Sequence, residues 1–170
     1  MIFSRMDETQ RPGWSGAIHS LLRVITGALF IQHGVQKLFG LLVNASQTWN
    51  GPPPVFSQFW FAGVLEVFGG ILIVLGLFTR PVAFLLSGEM AVAYFQAHFP
   101  RSPFPTVNNG VPAVLYCFLF LYFAFAGAGA WSIDALIARM ATTSLPFGER
   151  RTWSFGDRRI AHGAGQRISS

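Results

Sequence analysis

Four long apolar runs, broken by short polar or proline-rich stretches, dominate the pattern along this chain. They cover residues 17–43, 58–78, 82–99 and 111–130. A helix rising 1.5 Å per residue needs about 20 apolar residues to cross a hydrocarbon core of about 30 Å. The pattern therefore predicts an all-α membrane protein, a four-transmembrane-helix bundle spanning residues 17–137. The breaks carry helix-stopping residues. NASQTWNGPPPVFS (44–57) is uncharged and rich in Pro, Asn and Gly, with Trp49 and Trp60 placed to anchor at an interface. Thr79, Arg80 and Pro81 make a turn so short that the second and third runs must be antiparallel neighbours. PRSPFPTVNNG (100–110) is the third break, and Pro112 sits in the first turn of the last run, where its missing N–H does no harm. Past residue 130 the pattern changes: WSIDALIARM predicts a short amphipathic helix along the interface, and residues 138–170 read as a basic tail without regular structure. Residues 1–16 form a polar N-terminal segment. The apolar run behind them is far longer than the core of a cleaved signal peptide, which favours a retained first helix.

Composition strengthens the membrane reading. Hydrophobic residues make up 52% of the chain and charged residues 11%, against roughly a quarter charged in soluble domains. The net charge of +5 does not point to nucleic acid, because the basic residues do not gather on one soluble face. Arg5, Arg11, Arg80, Arg139, Arg150, Arg151, Arg158, Arg159 and Arg167 share one side of a four-span topology, and Arg101 alone lies on the other. The positive-inside rule then puts both termini in the cytoplasm, with the chain a multi-pass membrane protein. The single cysteine, Cys117, lies in an apolar run and excludes an intrachain disulfide or CxxC redox pair.

The chemistry-bearing residues are few and sit inside the runs. Arg23, Gly27, Phe30, Gly34 and Lys37 fall on one narrow stripe of the first helix, with His33 about 80° to one side of Arg23. Ionisable groups at membrane depth face a bundle interior and find partners. Glu66 shares its face with Gly63 and Gly70, and Glu89 shares its face with Gln96 one heptad on. The four glycines Gly27, Gly34, Gly63 and Gly70 are candidates for close helix packing. Counting depth from the helix ends pairs Lys37 with Glu66 and Arg23 with Glu89, His33 lying above the first pair. Arg23, His33, Lys37, Glu66, Glu89 and Gln96 are thus the candidates for a buried polar pocket. His33 and His98 with Glu66 form too loose a constellation to count as a metal motif. Cys117, flanked by apolar residues, reads as packing.

The residues also carry a family resemblance. R-x6-F-x2-HG-x2-K in the first run, E-x2-GG-x5-GL-x-TRP, EM-x-VAY-F with a following H-x-P, and LYCF-x-FLY-x6-G-x-WS-x-D in the fourth occur in the order seen in the DoxX family of small bacterial membrane proteins. The resemblance runs from about Leu22 to Leu136 and implies four membrane helices. It also implies an association with sulfur or thiol redox systems, since the related DoxD-type subunits belong to a thiosulfate:quinone oxidoreductase. Where the family commonly shows N-G-E this chain has Asn109, Gly110 and Val111, so a carboxylate is missing.

Two function classes follow. One is a redox-associated membrane subunit, quinone-linked or a partner in thiol or sulfur oxidation, with His33 donating a proton to a quinone oxygen. The other is a non-enzymatic membrane carrier or an assembly or scaffold protein whose buried charges only fix helix register. No cofactor-binding motif occurs in the sequence, so a quinone is the cofactor to consider, and the expected partners are the lipid bilayer, a soluble or membrane redox protein, and a second copy of the chain.

Overall fold

A computed structural model describes residues 13–43 and 50–143, and every regular element among them is helical. Helix α1, Gly13–Phe39, buries Ser20, Arg23, Thr26, Gly27, Phe30 and Gly34, a stripe at three- and four-residue spacing that faces the rest of the bundle. It starts before the predicted residue 17 and stops before residue 43, because Gly40 turns left-handed at φ 64°. Helix α2, Gln58–Leu75, is capped at its start by Ser57, whose hydroxyl accepts from the Trp60 N–H at 3.2 Å. It ends at Gly76, whose φ of 66° is the left-handed conformation that closes a helix and that a side chain would strain. This stops α2 three residues short of the predicted end.

Helix α3, Thr79–Ala93, begins before Pro81 and accommodates it in its first turn. It runs on into a π-helical turn, Tyr94–His98, where the Phe99 N–H bonds to the Tyr94 carbonyl at 2.9 Å. Helix α4, Val111–Ala126, is apolar throughout and ends at Gly127 rather than at residue 130. The amphipathic helix predicted after it is present as α5, Ile133–Thr143. Residues 1–12 of the N-terminal segment, Trp49 and the tail beyond Thr143 lie outside the described residues.

The helices pack as two antiparallel hairpins, α1 on α2 and α3 on α4, joined by the α2–α3 turn and a shared core. That core is Phe30, Ile73, Ala83, Leu86, Met90, Phe120 and Phe123, drawn from all four helices. The outer surface is the reverse of a soluble protein's. Phe68, Phe84, Leu85, Phe118 and Phe125 are each more than half exposed, an apolar surface that suits lipid rather than water. Helices α1 and α2 are long and apolar enough to cross a membrane.

The α1–α2 contact depends on glycine. A Cβ on Gly34 would lie 2.7 Å from the Gly63 carbonyl oxygen, and one on Gly27 2.9 Å from that of Gly70, so the two backbones touch where side chains are missing. Gly34→Val should therefore cost about 1–3 kcal/mol by overpacking and lower the thermal midpoint of the detergent-purified protein. Gly16→Ala, where nothing lies within 4 Å, should leave it unchanged or slightly raised.

Candidate functional site

The glycine contact fixes which residues of α1 meet which of α2. Gly34 lies against Gly63 and Val67, and Gly27 against Gly70 and Val74. One turn beyond Gly34, Lys37 comes level with the start of α2 and reaches back to Glu66. Its ammonium donates to Glu66 Oε1 at 2.5 Å. The carboxylate is 2% exposed and the lysine side chain 23%, so the charge pair sits below the surface with the lysine stem leading outward. The lysine also lies 5.3 Å over the Phe59 ring.

Glu89 of α3 lies within electrostatic reach of both Glu66 and Lys37. Tyr116 of α4 feels the Glu66 charge, and its ring meets that of His33 edge-on at 5.6 Å. One residue or more from each of α1, α2, α3 and α4 thus contributes to a single polar centre: His33 and Lys37, Glu66, Glu89 and Tyr116. On the side toward Arg23 it borders Phe30 and Phe120, whose rings pack 4.7 Å apart. Glu66 Oε2 and both oxygens of Glu89 are sealed from solvent and have no hydrogen-bond partner among the described residues. Chemically, the centre holds, among the described residues, one ammonium, two carboxyl groups and three carboxyl oxygens without a hydrogen-bond partner.

Arg23 does not belong to it, which corrects the expected Arg23–Glu89 pair. The α1 register places Arg23 beside the end of α2, whereas Glu89, about three turns into α3, lies roughly 15 Å deeper. Fully buried, the guanidinium instead spends its donors on backbone carbonyls: Nε on Ala128 at 2.8 Å, Nη1 on Ile73 and on Val74 (2.7 Å), and Nη2 on Trp131 at 2.5 Å. It closes the C-terminus of α2, whose last carbonyls have no helical partner, and ties it to the chain between α4 and α5. Asp134 completes this knot. Its Oδ1 accepts from the Phe78 N–H at 2.9 Å and Oδ2 from the Thr79 N–H at 3.0 Å, an acid at the N-terminus of α3. Ser20 Oγ accepts from the Trp131 N–H, and His19 bonds Tyr122 through Nδ1 and the Gly127 carbonyl through Nε2.

Gln96 also falls away from the centre. The π turn alters the angular advance per residue, so the heptad relation to Glu89 is lost; Gln96 is exposed and accepts from Gln58 Nε2. His98 stacks on Tyr94 and bonds the Asn108 carbonyl at 3.0 Å in the loop end. Among the described residues no three His, Cys, Asp or Glu side chains converge as metal ligands. Cys117 is half-buried, its Sγ 3.6 Å from Ser87 Oγ. Two participants escaped the sequence reading. Tyr116 carries no charge to match, although it stands in the LYCF segment, and Asp134 in WS-x-D meets backbone N–H groups that no sequence pattern displays.

The DoxX family model matches residues 18–99, covering α1 to α3. An uncharacterized protein of Haemophilus influenzae is 43% identical over 120 residues, 68% of this chain and 87% of that relative. No solved structure matches the chain.

Removing Lys37 strands Glu66 in an apolar bundle. Lys37→Ala should cost about 3 kcal/mol, the low end for breaking a buried pair because the lysine keeps some water, and Lys37→Ala with Glu66→Gln should recover most of that in thermal melts. Asp134→Ala should cost about 1 kcal/mol as a lost helix cap, read as faster amide exchange at the start of α3.

Proposed function

From the premise that this chain belongs to the DoxX family, we propose that it is a four-span protein of the bacterial inner membrane that acts as a redox-associated subunit. Its polar centre receives the head group of a quinone or quinol. Both termini lie on the cytoplasmic side, a placement supported by Arg80 and Arg139, exposed at the Arg23 end, against Arg101 at the other. Crossing by α3 and α4 is supported by the continuous helix from Thr79 through His98 and by the uncharged α4.

One observation carries the reading: three carboxylate oxygens, on Glu66 and Glu89, are sealed from water and lack a donor beside a single ammonium. A buried polar group without a partner costs about 1–3 kcal/mol, and a carboxylate left bare costs more. A ligand that brings hydroxyl groups into the centre removes that cost. The same centre can serve both forms of a quinone head group. Its carboxylates accept from the hydroxyls of the reduced form, and Lys37, Tyr116 and His33 offer N–H and O–H donors to the carbonyls of the oxidised one. When bound, the quinone supplies the two-electron chemistry, while the protein positions it and holds protons at Glu66, Glu89 and His33. The apolar wall of Phe30 and Phe120 excludes water from the side toward Arg23.

Mass spectrometry of the protein purified with its native lipid tests this. A quinone should co-purify near one per chain, and Glu66→Gln with Glu89→Gln should lower it about tenfold, the effect of losing a charge-assisted hydrogen bond. Quinone present only at its ratio in the bulk lipid, in wild type and variant alike, would overturn the reading.

A further inference from the structure

Helix α5 is held at the end of the bundle and leaves its apolar side uncovered. Asp134 binds the Phe78 and Thr79 N–H groups, and its own N–H donates to the Gly76 carbonyl at 2.9 Å, so the helix is fixed against the α2–α3 turn, where those two helices end. Ser132 caps it from the other direction, accepting from the Ala135 N–H at 3.1 Å. Its start is therefore tied at the depth where the apolar surface of α2 and α3 stops.

Around the α5 axis, Ile133, Leu136, Ile137 and Met140 make one stripe. Leu136 is 54% exposed, Ile137 48% and Met140 56%, so beyond the half-buried Ile133 no part of the described protein covers it. At 100° per residue Asp134 lies about 110° to one side of the centre of this stripe and Arg139 about 110° to the other. With Asp134 turned to the bundle, a helix lying beside the bundle end would turn its apolar stripe to the membrane and Arg139 to water. Trp131, 62% exposed at the junction with α4, stands at the same level, where an indole favours the head-group boundary. The charge around it is basic. Arg80 and Arg139 are exposed at this end, and the chain beyond α5 continues with Arg150, Arg151, Arg158, Arg159 and Arg167.

We infer that α5 is a leaflet-binding helix, its apolar stripe sunk in the head-group boundary of an anionic phospholipid surface and its start clamped to the bundle by Asp134. Apolar burial supplies the affinity and the arginines select anionic lipid, the combination that holds interfacial helices. The inference rests on the proposed membrane topology, and its test separates the two.

The full chain with Cys117→Ser is reconstituted into vesicles containing phosphatidylglycerol, and an environment-sensitive fluorophore is attached through Met140→Cys, Arg139→Cys or, as a control on the lipid-facing side of α4, Phe125→Cys. The Met140 position should show blue-shifted emission, quenched by a lipid-borne nitroxide and protected from aqueous iodide, and the Arg139 position the reverse. Loss of the Met140 blue shift in vesicles of purely zwitterionic lipid would support the selection by charge. Iodide quenching at Met140 with lipid quenching retained at Phe125 would overturn the inference and leave the topology intact, whereas iodide quenching at Phe125 would overturn the topology itself. Protection at Met140 that disappears on diluting the protein in lipid would assign the stripe to a second copy and also overturn the inference.

Discussion

The backbone contact between α1 and α2 governs the rest of the structure. Gly27 and Gly34 meet Gly70 and Gly63 with no side chain between them, so the two helices cannot slide without a clash or a void. Inside a membrane there is no water to satisfy a misplaced polar group, and a slip of one turn would carry Lys37 away from Glu66 and Arg23 away from the end of α2. Steric register and polar satisfaction thus specify the same arrangement, which is what lets one sequence choose one packing.

From this register come two polar clusters of opposite character. At the end of the bundle, Arg23 and Asp134 meet backbone groups: four carbonyls for the guanidinium and two N–H groups for the carboxylate. The charged groups there are paired, although the Thr79 hydroxyl beside them is buried without a partner among the described residues, and the cluster closes α2 and starts α3. Deeper in, Lys37, Glu66 and Glu89 do not balance, and three carboxyl oxygens have no partner among the described residues. A group left unsatisfied in a native core asks for an explanation, and the proposed function answers with the hydroxyl groups of a ligand.

The sequence made much of this legible, and its failures have identifiable causes. Helix positions follow from the lengths of the apolar runs, but their ends do not, because a left-handed glycine, Gly40 or Gly76, stops a helix inside an apolar stretch. Lys37 and Glu66 could be matched by depth because both are counted from the same loop, which lies between their helices. Arg23 and Glu89 are counted from different boundaries, and α1 begins at Gly13, so the count drifted. Charge matching also looks for an acid opposite a base and overlooks carbonyls, the partners that Arg23 takes. The position of Gln96 is not legible because a π turn interrupts the helical period, an irregularity that hydrophobic spacing does not reveal.

The chain has one lysine, which makes its central contact directly measurable. Solid-state NMR of the protein in lipid bilayers, with dipolar recoupling between the Lys37 side-chain nitrogen and the Glu66 carboxyl carbon, reads that distance without mutation. A strong coupling, corresponding to the 2.5 Å approach of Nζ to Oε1, is the result that the α1–α2 register requires. A lysine nitrogen uncoupled from Glu66 and coupled to lipid phosphate would contradict it, because the first helix would then turn its cation outward and the polar centre would not form.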